Sequence, residues 1–302
     1  MKSVEIKGII VPITTPMNAD ESINVEELRK QVDREIENGI DAIFPFGTNG
    51  EGYILNAAEK ELVLKTVVDQ VAGRVPVYAG SGCISTKETI EQSKMAQAAG
   101  ADVLSIITPS FAAASQEELY VHYKTVAEAV DMPIVLYNIP ARTGNAITPA
   151  TVGRLAEIDN IVGAKDSSGN FANILGYIEA GKKKTNGKFS VLSGNDQLII
   201  WTLQAGGTGG IAGCANVYPH TMASIYDEFM AGNWEKAKEY QDSIASFRAC
   251  FKYGNPNTIV KTAVSLLGYN VGKCRAPFNQ VPEEGIEALK KVLKENADKG
   301  MH

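Results

Sequence analysis

The chain has 302 residues, of which 44% are hydrophobic and 21% are charged, a balance typical of a globular protein with a sizeable core. Its formal net charge of −6 argues against nucleic-acid binding, because it leaves no basic surface for the phosphate backbone. The four cysteines are widely spaced and form no CxxC pair, which predicts free buried thiols rather than a metal site or a disulfide framework.

Short apolar runs recur along the chain and predict strands. Their hydrophobicity is continuous rather than alternating, which is typical of strands buried on both faces, as in a parallel sheet. In chain order the predicted strands are 8–14, 42–46, 75–80, 103–107, 133–138, 161–165, 189–194 and 209–213.

Amphipathic segments with clear end signals lie between these runs and predict helices. Asn56 is a candidate N-cap, Ser85 opens a Ser–x–x–Glu capping box, and Pro149 falls in a first helical turn. Glycines at 39 and 73 lie just past two helix ends. The predicted helices are 24–39, 56–73, 85–100, 115–130 and 148–158.

This alternation predicts an α/β fold, a (β/α)8 TIM barrel, because about eight strand–helix units fit into roughly 230 residues. A doubly wound open sheet is the alternative, since periodicity alone does not show closure. From about residue 220 onward the patterns are helical only. We therefore predict a barrel domain over 1–219 and a C-terminal helical extension over 220–302 packed on the barrel.

The chain termini and apolar runs bear on location. The N-terminal residues MKSVEIKGII carry a charge at Lys7 and have no long apolar stretch, so they do not resemble a signal peptide. No apolar run approaches the ~18 residues of a membrane span. We therefore expect a cytoplasmic protein without a membrane partner.

In barrels the chemistry lies at the carboxyl ends of the strands, where two side chains are conspicuous. Lys165 ends the predicted sixth strand. A lysine is costly to bury while charged, and a neutral amine is a nucleophile that forms Schiff bases with carbonyls. Tyr137 ends the fifth strand, where its phenol could transfer a proton. A solvent-exposed lysine and a tyrosine that only packs are the alternatives.

The segment GTNGEG, residues 47–52, follows the second predicted strand and has the composition of an anion-binding loop. Glycines allow backbone N–H groups to point inward, and Thr48 adds a hydroxyl donor. Gly47, Thr48 and Asn49 are therefore candidate substrate-binding residues. The segment is not a P-loop, because no Gly-Lys-Ser/Thr follows, and it does not distinguish a phosphate from a carboxylate.

The ordered motifs GTNGEG, YNIPARTG, GAKDSSGN, SGND and GGIAGCANVYP resemble those of the dihydrodipicolinate synthase / N-acetylneuraminate lyase superfamily, over about residues 5–292. The resemblance implies a (β/α)8 barrel with a C-terminal helical extension, usually a homotetramer built as a dimer of dimers. It implies an enzyme whose lysine forms a Schiff base with pyruvate or another 2-oxo acid, without a metal or cofactor.

Carried over by motif, the resemblance assigns a role to each candidate. Lys165 matches the Schiff-base lysine and Tyr137 the proton-transferring tyrosine. Thr48 and Asn49 match the pair that binds the 2-oxo acid carboxylate, with Asn49 where the family usually has threonine. Ile211 is at the position whose backbone lines the pyruvate pocket.

Four further positions bear on the choice between family members. Phe111 stands where synthases and sialic acid lyases usually place a tyrosine that reaches a neighbouring subunit's site, so a proton relay through that position would be incomplete. Arg142 matches a synthase arginine that contacts the carboxylate of the aldehyde substrate. Gln197 and Gly213 stand where sialic acid lyases place a glutamate and a serine.

Arg142 points towards a synthase, but Phe111, Gln197 and Gly213, with the form KDSSGN, favour a pyruvate-releasing aldolase that reversibly cleaves a 2-keto-3-deoxy sugar acid to pyruvate and an aldehyde. The first alternative is a dihydrodipicolinate synthase that condenses pyruvate with aspartate semialdehyde. An N-acetylneuraminate lyase and a 2-keto-3-deoxy acid dehydratase are further alternatives. A Schiff-base-competent binding protein without turnover is the alternative from outside the enzymes.

Overall fold

The computed structural model describes residues 4–302. Its strands are β1 (Gly8–Val11), β2 (Ala42–Ile43), β3 (Tyr78–Gly80), β4 (Val103–Ile107), β5 (Ile134–Asn138), β6 (Ile161–Asp166), β7 (Ser190–Ser193) and β8 (Gly209–Ile211). They form one eight-stranded sheet in the order β2-β1-β8-β7-β6-β5-β4-β3. The pairings of β1 with β2 and of β3 through β8 are parallel. Chain neighbours are sheet neighbours and β1 lies next to β8, as in a (β/α)8 barrel and unlike a doubly wound sheet, so the predicted TIM-barrel fold is confirmed.

Helices alternate with the strands and then continue alone to the C-terminus. Several begin at the side-chain caps that the sequence predicted: Asn56 forms a capping box with Glu59, and the Ser85 hydroxyl accepts from the Glu88 N–H. The helices are α1 (Val25–Glu37), α2 (Ala57–Val71), α3 (Thr86–Ala98), α4 (Gln116–Glu128), α5 (Pro140–Thr143), α6 (Pro149–Leu155), α7 (Phe171–Thr185), α8 (Ile199–Gln204), α9 (Pro219–Met230), α10 (Trp234–Ser243), α11 (Ala245–Arg248), α12 (Pro256–Leu266) and α13 (Glu283–Asp298).

Several strands are shorter than their apolar runs. The run 42–46 forms a strand only as far as Ile43, because Pro45 has no N–H for a sheet hydrogen bond and Phe46 takes a left-handed φ of +68°. The run 209–213 ends as a strand at Ile211 and continues as a short 3₁₀ helix, Gly213–Asn216. In both places an apolar sequence continues past the strand and forms a turn at its carboxyl end.

The chain divides into two compact units. Among the described residues, the first comprises 4–8 and Pro76–Ile211, and it contains β3 to β8. Its central strands are buried on both faces: consecutive residues Ile134, Val135 and Leu136 of β5 are all 0% exposed. This accounts for the continuous apolar runs of the sequence.

The second unit comprises Ile9–Val75 and Ala212–His302, so it joins an early and a late part of the sequence. The Asn216 side chain connects the two parts, accepting from the Thr14 N–H at 2.8 Å and donating to the Pro12 carbonyl at 3.1 Å. The division between 1–219 and 220–302 stays a prediction. Across residues 4–302, no helix is both long enough and apolar enough to traverse a lipid bilayer.

Candidate active site

Lys165 and Tyr137 lie side by side at the ends of neighbouring strands. In the parallel register of β5 and β6, Tyr137 is opposite Lys165. Both side chains are buried, with exposures of 4% for Tyr137 and 3% for Lys165, and the Lys165 Nζ lies 3.8 Å from the centroid of the Tyr137 ring. Residues paired at matched register point to the same face of a sheet. The structure therefore brings together the two residues predicted to carry the chemistry.

The next residue along each strand points to the opposite face and belongs to a separate hydrogen-bond network. The Asn138 Nδ2 donates to the Asp166 Oδ1 at 2.7 Å. Asp166 is fully buried, and its carboxylate also accepts from the Asn173 Nδ2 at 2.8 Å and the Ser168 Oγ at 2.6 Å. A buried carboxylate requires such donors. The network holds in register the two strand ends that carry the tyrosine and the lysine.

A glycine at the end of β7 makes room for the lysine side chain. A Cβ added at Gly194 would lie 2.9 Å from the Lys165 Cε and would overlap the Ser167 Oγ. Both approaches are closer than van der Waals contact allows. Any side chain at position 194 would therefore displace the lysine from its place beside the tyrosine.

The loop after β4 presents Phe111 outward. Phe111 takes a φ of +79° and is 99% exposed in the chain. The Asn145 side chain fixes this loop: its Nδ2 donates to the carbonyls of Pro109 and Ala112 at 2.9 and 2.8 Å, and its Oδ1 accepts from the Ala114 N–H at 2.8 Å. These hydrogen bonds hold the loop in a conformation that exposes the Phe111 side chain. The role of Phe111 in substrate binding stays a prediction.

Two further candidates lie at strand ends in the same unit. Arg142 is an exposed residue of the short helix α5, which follows β5 directly. Ile211 is the last residue of β8 and is 1% exposed. Both lie at the carboxyl ends of strands, as the sequence predicted, and their contacts with a substrate stay predictions.

The predicted anion-binding loop lies in the second unit, beyond β2. Gly47 is closely packed, since a Cβ there would lie 3.0 Å from the Pro12 Cβ. The Thr15 Oγ1 donates to the Gly50 carbonyl at 2.7 Å and fixes the middle of the loop. Thr48 and Asn49 are half-buried. The structure therefore places these two polar side chains next to each other on a fixed backbone, partly accessible to a ligand.

Asn49, which replaces the usual threonine of the family, and Gly213, which replaces the serine of sialic acid lyases, are in contact and form one structural feature. A Cβ added at Gly213 would lie 2.6 Å from the Asn49 Nδ2. The side-chain amide thus occupies the space that a larger residue at 213 would fill. The missing side chain at 213 is what accommodates asparagine at position 49.

Reading the sequence missed four residues that shape the site: Asn138, Asp166, Asn145 and Gly194. Asn138 and Asp166 could have been found from the sequence, because each directly follows a predicted catalytic residue in the pairs Tyr-Asn and Lys-Asp. Alternation along a strand places such neighbours on the opposite face. The contacts of Asn145 with a distant loop have no local sequence signal.

Within the described residues, no three His, Cys, Asp or Glu side chains are grouped closely enough to hold a metal ion. Schiff-base chemistry needs an amine and a proton-transferring group, and both are side chains of the chain itself. The absence of a metal or cofactor stays a prediction.

Proteins of known name resemble the chain over nearly its whole length. It is 40% identical over 293 residues to the 4-hydroxy-tetrahydrodipicolinate synthase of Methanopyrus kandleri, covering 96% of each chain. It is 42% identical over 288 residues to the enzyme of the same name from Syntrophus aciditrophicus, covering 95% of this chain and 97% of the relative.

A solved structure and a family model lead to the same group. The structure of the chloride-inhibited dihydrodipicolinate synthase of Acinetobacter baumannii, complexed with pyruvate, superposes with a TM-score of 0.91 at 36% identity, covering 97% of this chain and 99% of that one. The model of the dihydrodipicolinate synthetase family matches residues 5–296. The chain belongs to the dihydrodipicolinate synthetase family and is a pyruvate-dependent lyase of the class I aldolase type.

Proposed function

We propose that the protein is a 4-hydroxy-tetrahydrodipicolinate synthase, which condenses pyruvate with aspartate semialdehyde. The observation that carries this proposal is the identity of about 40% to named synthases over nearly the full length of both chains. The sequence motifs favoured an aldolase of 2-keto-3-deoxy sugar acids and gave the synthase as the alternative. The comparisons support that alternative better.

Lys165 is the nucleophile of the proposed reaction. Its neutral amine adds to C2 of pyruvate, and loss of water leaves an iminium. The iminium draws electrons from C3, which loses a proton to give an enamine. The enamine carbon attacks the aldehyde carbon, forming the new carbon–carbon bond while the aldehyde oxygen takes a proton. The amine of the semialdehyde then adds to the iminium carbon, closing the ring and releasing Lys165.

Tyr137 transfers the protons of these steps. Its ring lies against the amine at 3.8 Å from the centroid, on the same face of the sheet. Carbinolamine dehydration needs a proton on the leaving oxygen, and enamine formation needs an acceptor for the C3 proton. A phenol held beside the nucleophile serves both, because it exchanges one proton between substrate and solvent.

The carboxylates of the substrates are the remaining groups to bind. We assign the pyruvate carboxylate to the backbone of Gly47 and the side chains of Thr48 and Asn49, and the lining of its pocket to the backbone of Ile211. Arg142 binds the carboxylate of the semialdehyde through its guanidinium, which matches a carboxylate bidentately.

A sugar-acid aldolase remains the second candidate because of Phe111. This side chain has no hydroxyl where the family's synthases usually place a proton-relaying tyrosine. An aldolase of 2-keto-3-deoxy acids uses the same iminium in the cleavage direction and needs no relay at that position. N-acetylneuraminate lyase is disfavoured by Gln197 and Gly213, which lack the carboxylate and the hydroxyl that hold the sugar in those lyases.

One panel of substrates separates these candidates. Condensation of pyruvate with aspartate semialdehyde is measured beside pyruvate release from 2-keto-3-deoxy sugar acids and from sialic acid. The proposal expects condensation to be faster than every cleavage reaction. Faster release of pyruvate from a sugar acid would replace it with the aldolase assignment, and the absence of any turnover together with Schiff-base formation would leave a binding protein.

The Schiff-base step has its own test. Incubation with pyruvate and borohydride should add the mass of a reduced pyruvyl group to a single peptide, the one containing Lys165. Lys165→Ala should fold but lose nearly all turnover, because the covalent route is removed rather than weakened. Mapping the added mass to another lysine would refute the assignment.

We also propose that the chain assembles into a homotetramer, a dimer of dimers, as the family resemblance implies. Sedimentation velocity at micromolar protein concentration should give a species of four times the 32.4 kDa chain mass. A monomer as the main species at these concentrations would contradict this assembly.

A further inference from the structure

We propose that helix α12 positions the carboxylate-binding loop, and that Lys261 and Glu51 are the positioning residues that do so. The inference rests on the proposed function, since it assigns a role to the loop that carries Thr48 and Asn49. It gives the C-terminal helices a part in substrate binding that nothing in the loop's own sequence indicates.

The backbone of the loop, residues 46–52, has a strained conformation. Phe46 and Glu51 take left-handed φ values of +68° and +55°, which residues other than glycine rarely adopt. A Cβ at Gly50 would lie 2.8 Å from the Ile13 carbonyl oxygen, and one at Gly52 would overlap the Phe46 carbonyl. Such a conformation costs free energy and persists only where surrounding contacts impose it.

The Glu51 side chain receives those contacts. Its carboxylate is 0% exposed, and Oε1 accepts from the Lys261 Nζ at 2.7 Å while Oε2 accepts from the Arg275 backbone N–H at 2.8 Å. On the loop side, the Glu51 N–H donates to the Thr48 carbonyl at 3.2 Å. Glu51 therefore connects the C-terminal part of the unit directly to the backbone of the residue that binds the carboxylate.

Helix α12 makes a second contact with the same segment. Asn257 is one turn before Lys261 on the same face of the helix, and its Nδ2 donates to the Tyr53 hydroxyl at 3.0 Å. Asn257 and Lys261 are both 0% exposed. Burial, and to a lesser extent the charge of Glu51, raise the pKa of the neighbouring Cys274 thiol to about 12, so this thiol adds no charge beside the Glu51–Lys261 pair.

Stability alone does not explain the Glu51–Lys261 ion pair. Both charges are removed from water, and a buried ion pair can often be replaced by neutral side chains without loss of stability. What the pair does provide is a defined orientation. The Lys261 ammonium binds one carboxylate oxygen of Glu51 and the Arg275 N–H binds the other, which holds the Glu51 backbone at its left-handed φ angle. A fixed carboxylate at this point is what a preformed anion-binding loop requires.

Removing both charges together distinguishes a role of the ion pair in positioning the loop from a role in stabilising the fold. In Glu51→Gln/Lys261→Met no buried charge is left unpaired, so the thermal midpoint should stay near the wild-type value. The pyruvate concentration that gives half-maximal borohydride trapping at Lys165, and the KM for pyruvate, should both rise about tenfold or more. The value of kcat at saturating pyruvate should change less than about threefold, because the reacting groups are untouched.

Glu35→Gln is the matched control, since Glu35 is also a fully buried carboxyl of the same unit but lies on α1. Its KM for pyruvate should equal that of the wild type. A double variant with wild-type KM overturns the positioning role, and a double variant that does not fold assigns the pair to stability and overturns it as well. A wild-type protein that forms no pyruvate adduct would instead refute the proposed function.

Discussion

The Lys165 side chain packs against two neighbours at the ends of the strands. The Tyr137 ring covers one side at 3.8 Å, and Gly194 leaves space for the Cε. The buried carboxylate nearest in sequence, Asp166, belongs to the opposite face and is occupied by Asn138, Asn173 and Ser168. The Lys165 side chain is thus packed beside Tyr137, on the face opposite to that network.

Replacing Tyr137 by phenylalanine tests the proton-transfer role. The ring that packs on Lys165 remains, and only the hydroxyl is lost. We expect kcat to fall roughly 10²–10⁴-fold, the range for general acid–base groups, with the thermal midpoint little changed. Steady-state kinetics would check this, and a loss of less than about fivefold would show that the tyrosine only packs.

Replacing Gly213 by alanine tests its contact with Asn49. The new Cβ would meet the Asn49 Nδ2 at 2.6 Å, and the flexible amide can move aside, so stability should change little. If the amide binds the pyruvate carboxylate, its displacement should raise KM by about ten- to a hundredfold, the value of a charge-assisted hydrogen bond. The combination with Asn49→Ser should be no worse than Asn49→Ser alone, and additive effects in this double-mutant cycle would contradict the coupling.

Individual candidate residues could be predicted where a strand run locates them. Lys165 and Tyr137 each end an apolar run, and parallel strands bring such ends together, so their proximity follows from the sequence pattern. The contact of Gly213 with Asn49 could not be predicted in this way. It joins two loops with no shared pattern, and the sequence showed only two separate departures from the family.

Helices were predicted more accurately than strand ends. The side chains of Asn56 and Ser85 cap α2 and α3 because their oxygens satisfy free N–H groups of the first turn, a local rule. Strand β2 ends before Pro45 and before Phe46, which takes a left-handed φ. The apolar run continues to Phe46, and Pro45 is the sign in the sequence that the strand stops earlier.

Helix α1 contains a buried carboxyl that should make stability depend on pH. Burial raises the pKa of Glu35 from 4.5 to about 8, although Arg34 acts in the opposite direction. The folded protein therefore keeps the Glu35 proton while the unfolded chain releases it, so this contribution to stability is full below pH 4.5 and is lost as pH rises to about 8.

The Glu35→Gln variant carries no such proton. Between pH 4.5 and about 8, the free energy of unfolding of Glu35→Gln relative to that of the wild type should increase by on the order of 1.4 kcal/mol per pH unit. Thermal melts of both proteins at pH 5, 6.5 and 8 would measure it. A constant difference in thermal midpoint over the series would show that Glu35 is ionised in the folded state.

The architecture of the entire chain was the easiest feature to predict, since the strand–helix alternation repeats about eight times and single errors do not change it. The division into two compact units was not predicted. It depends on contacts such as that of Glu51 with Lys261, which are 210 positions apart and leave no periodic signal. The composition of the loop suggested an anion site, but not which part of the chain supports it.

Phe111 should act only in the assembled protein, because it is 99% exposed in the chain. If the protein is a synthase, Phe111→Tyr supplies the hydroxyl of a relay and should raise the condensation rate several-fold, within the ~10²-fold that acid–base groups provide. The gain should disappear on dilution below the concentration at which sedimentation velocity shows dissociation. An equal gain in the dissociated protein would place Phe111 in the site of its own chain.

The contact between Glu51 and Lys261 also sets an order of events during synthesis. Glu51 leaves the ribosome early, but its partner follows 210 residues later, which at 5–20 residues per second is a delay of roughly 10–40 s. The Thr14 N–H likewise has no acceptor until Asn216, 202 positions later, has been synthesised. The unit containing Pro76–Ile211 is complete before either partner has emerged. The nascent chain therefore holds its nucleophile before its anion-binding loop can take its final shape.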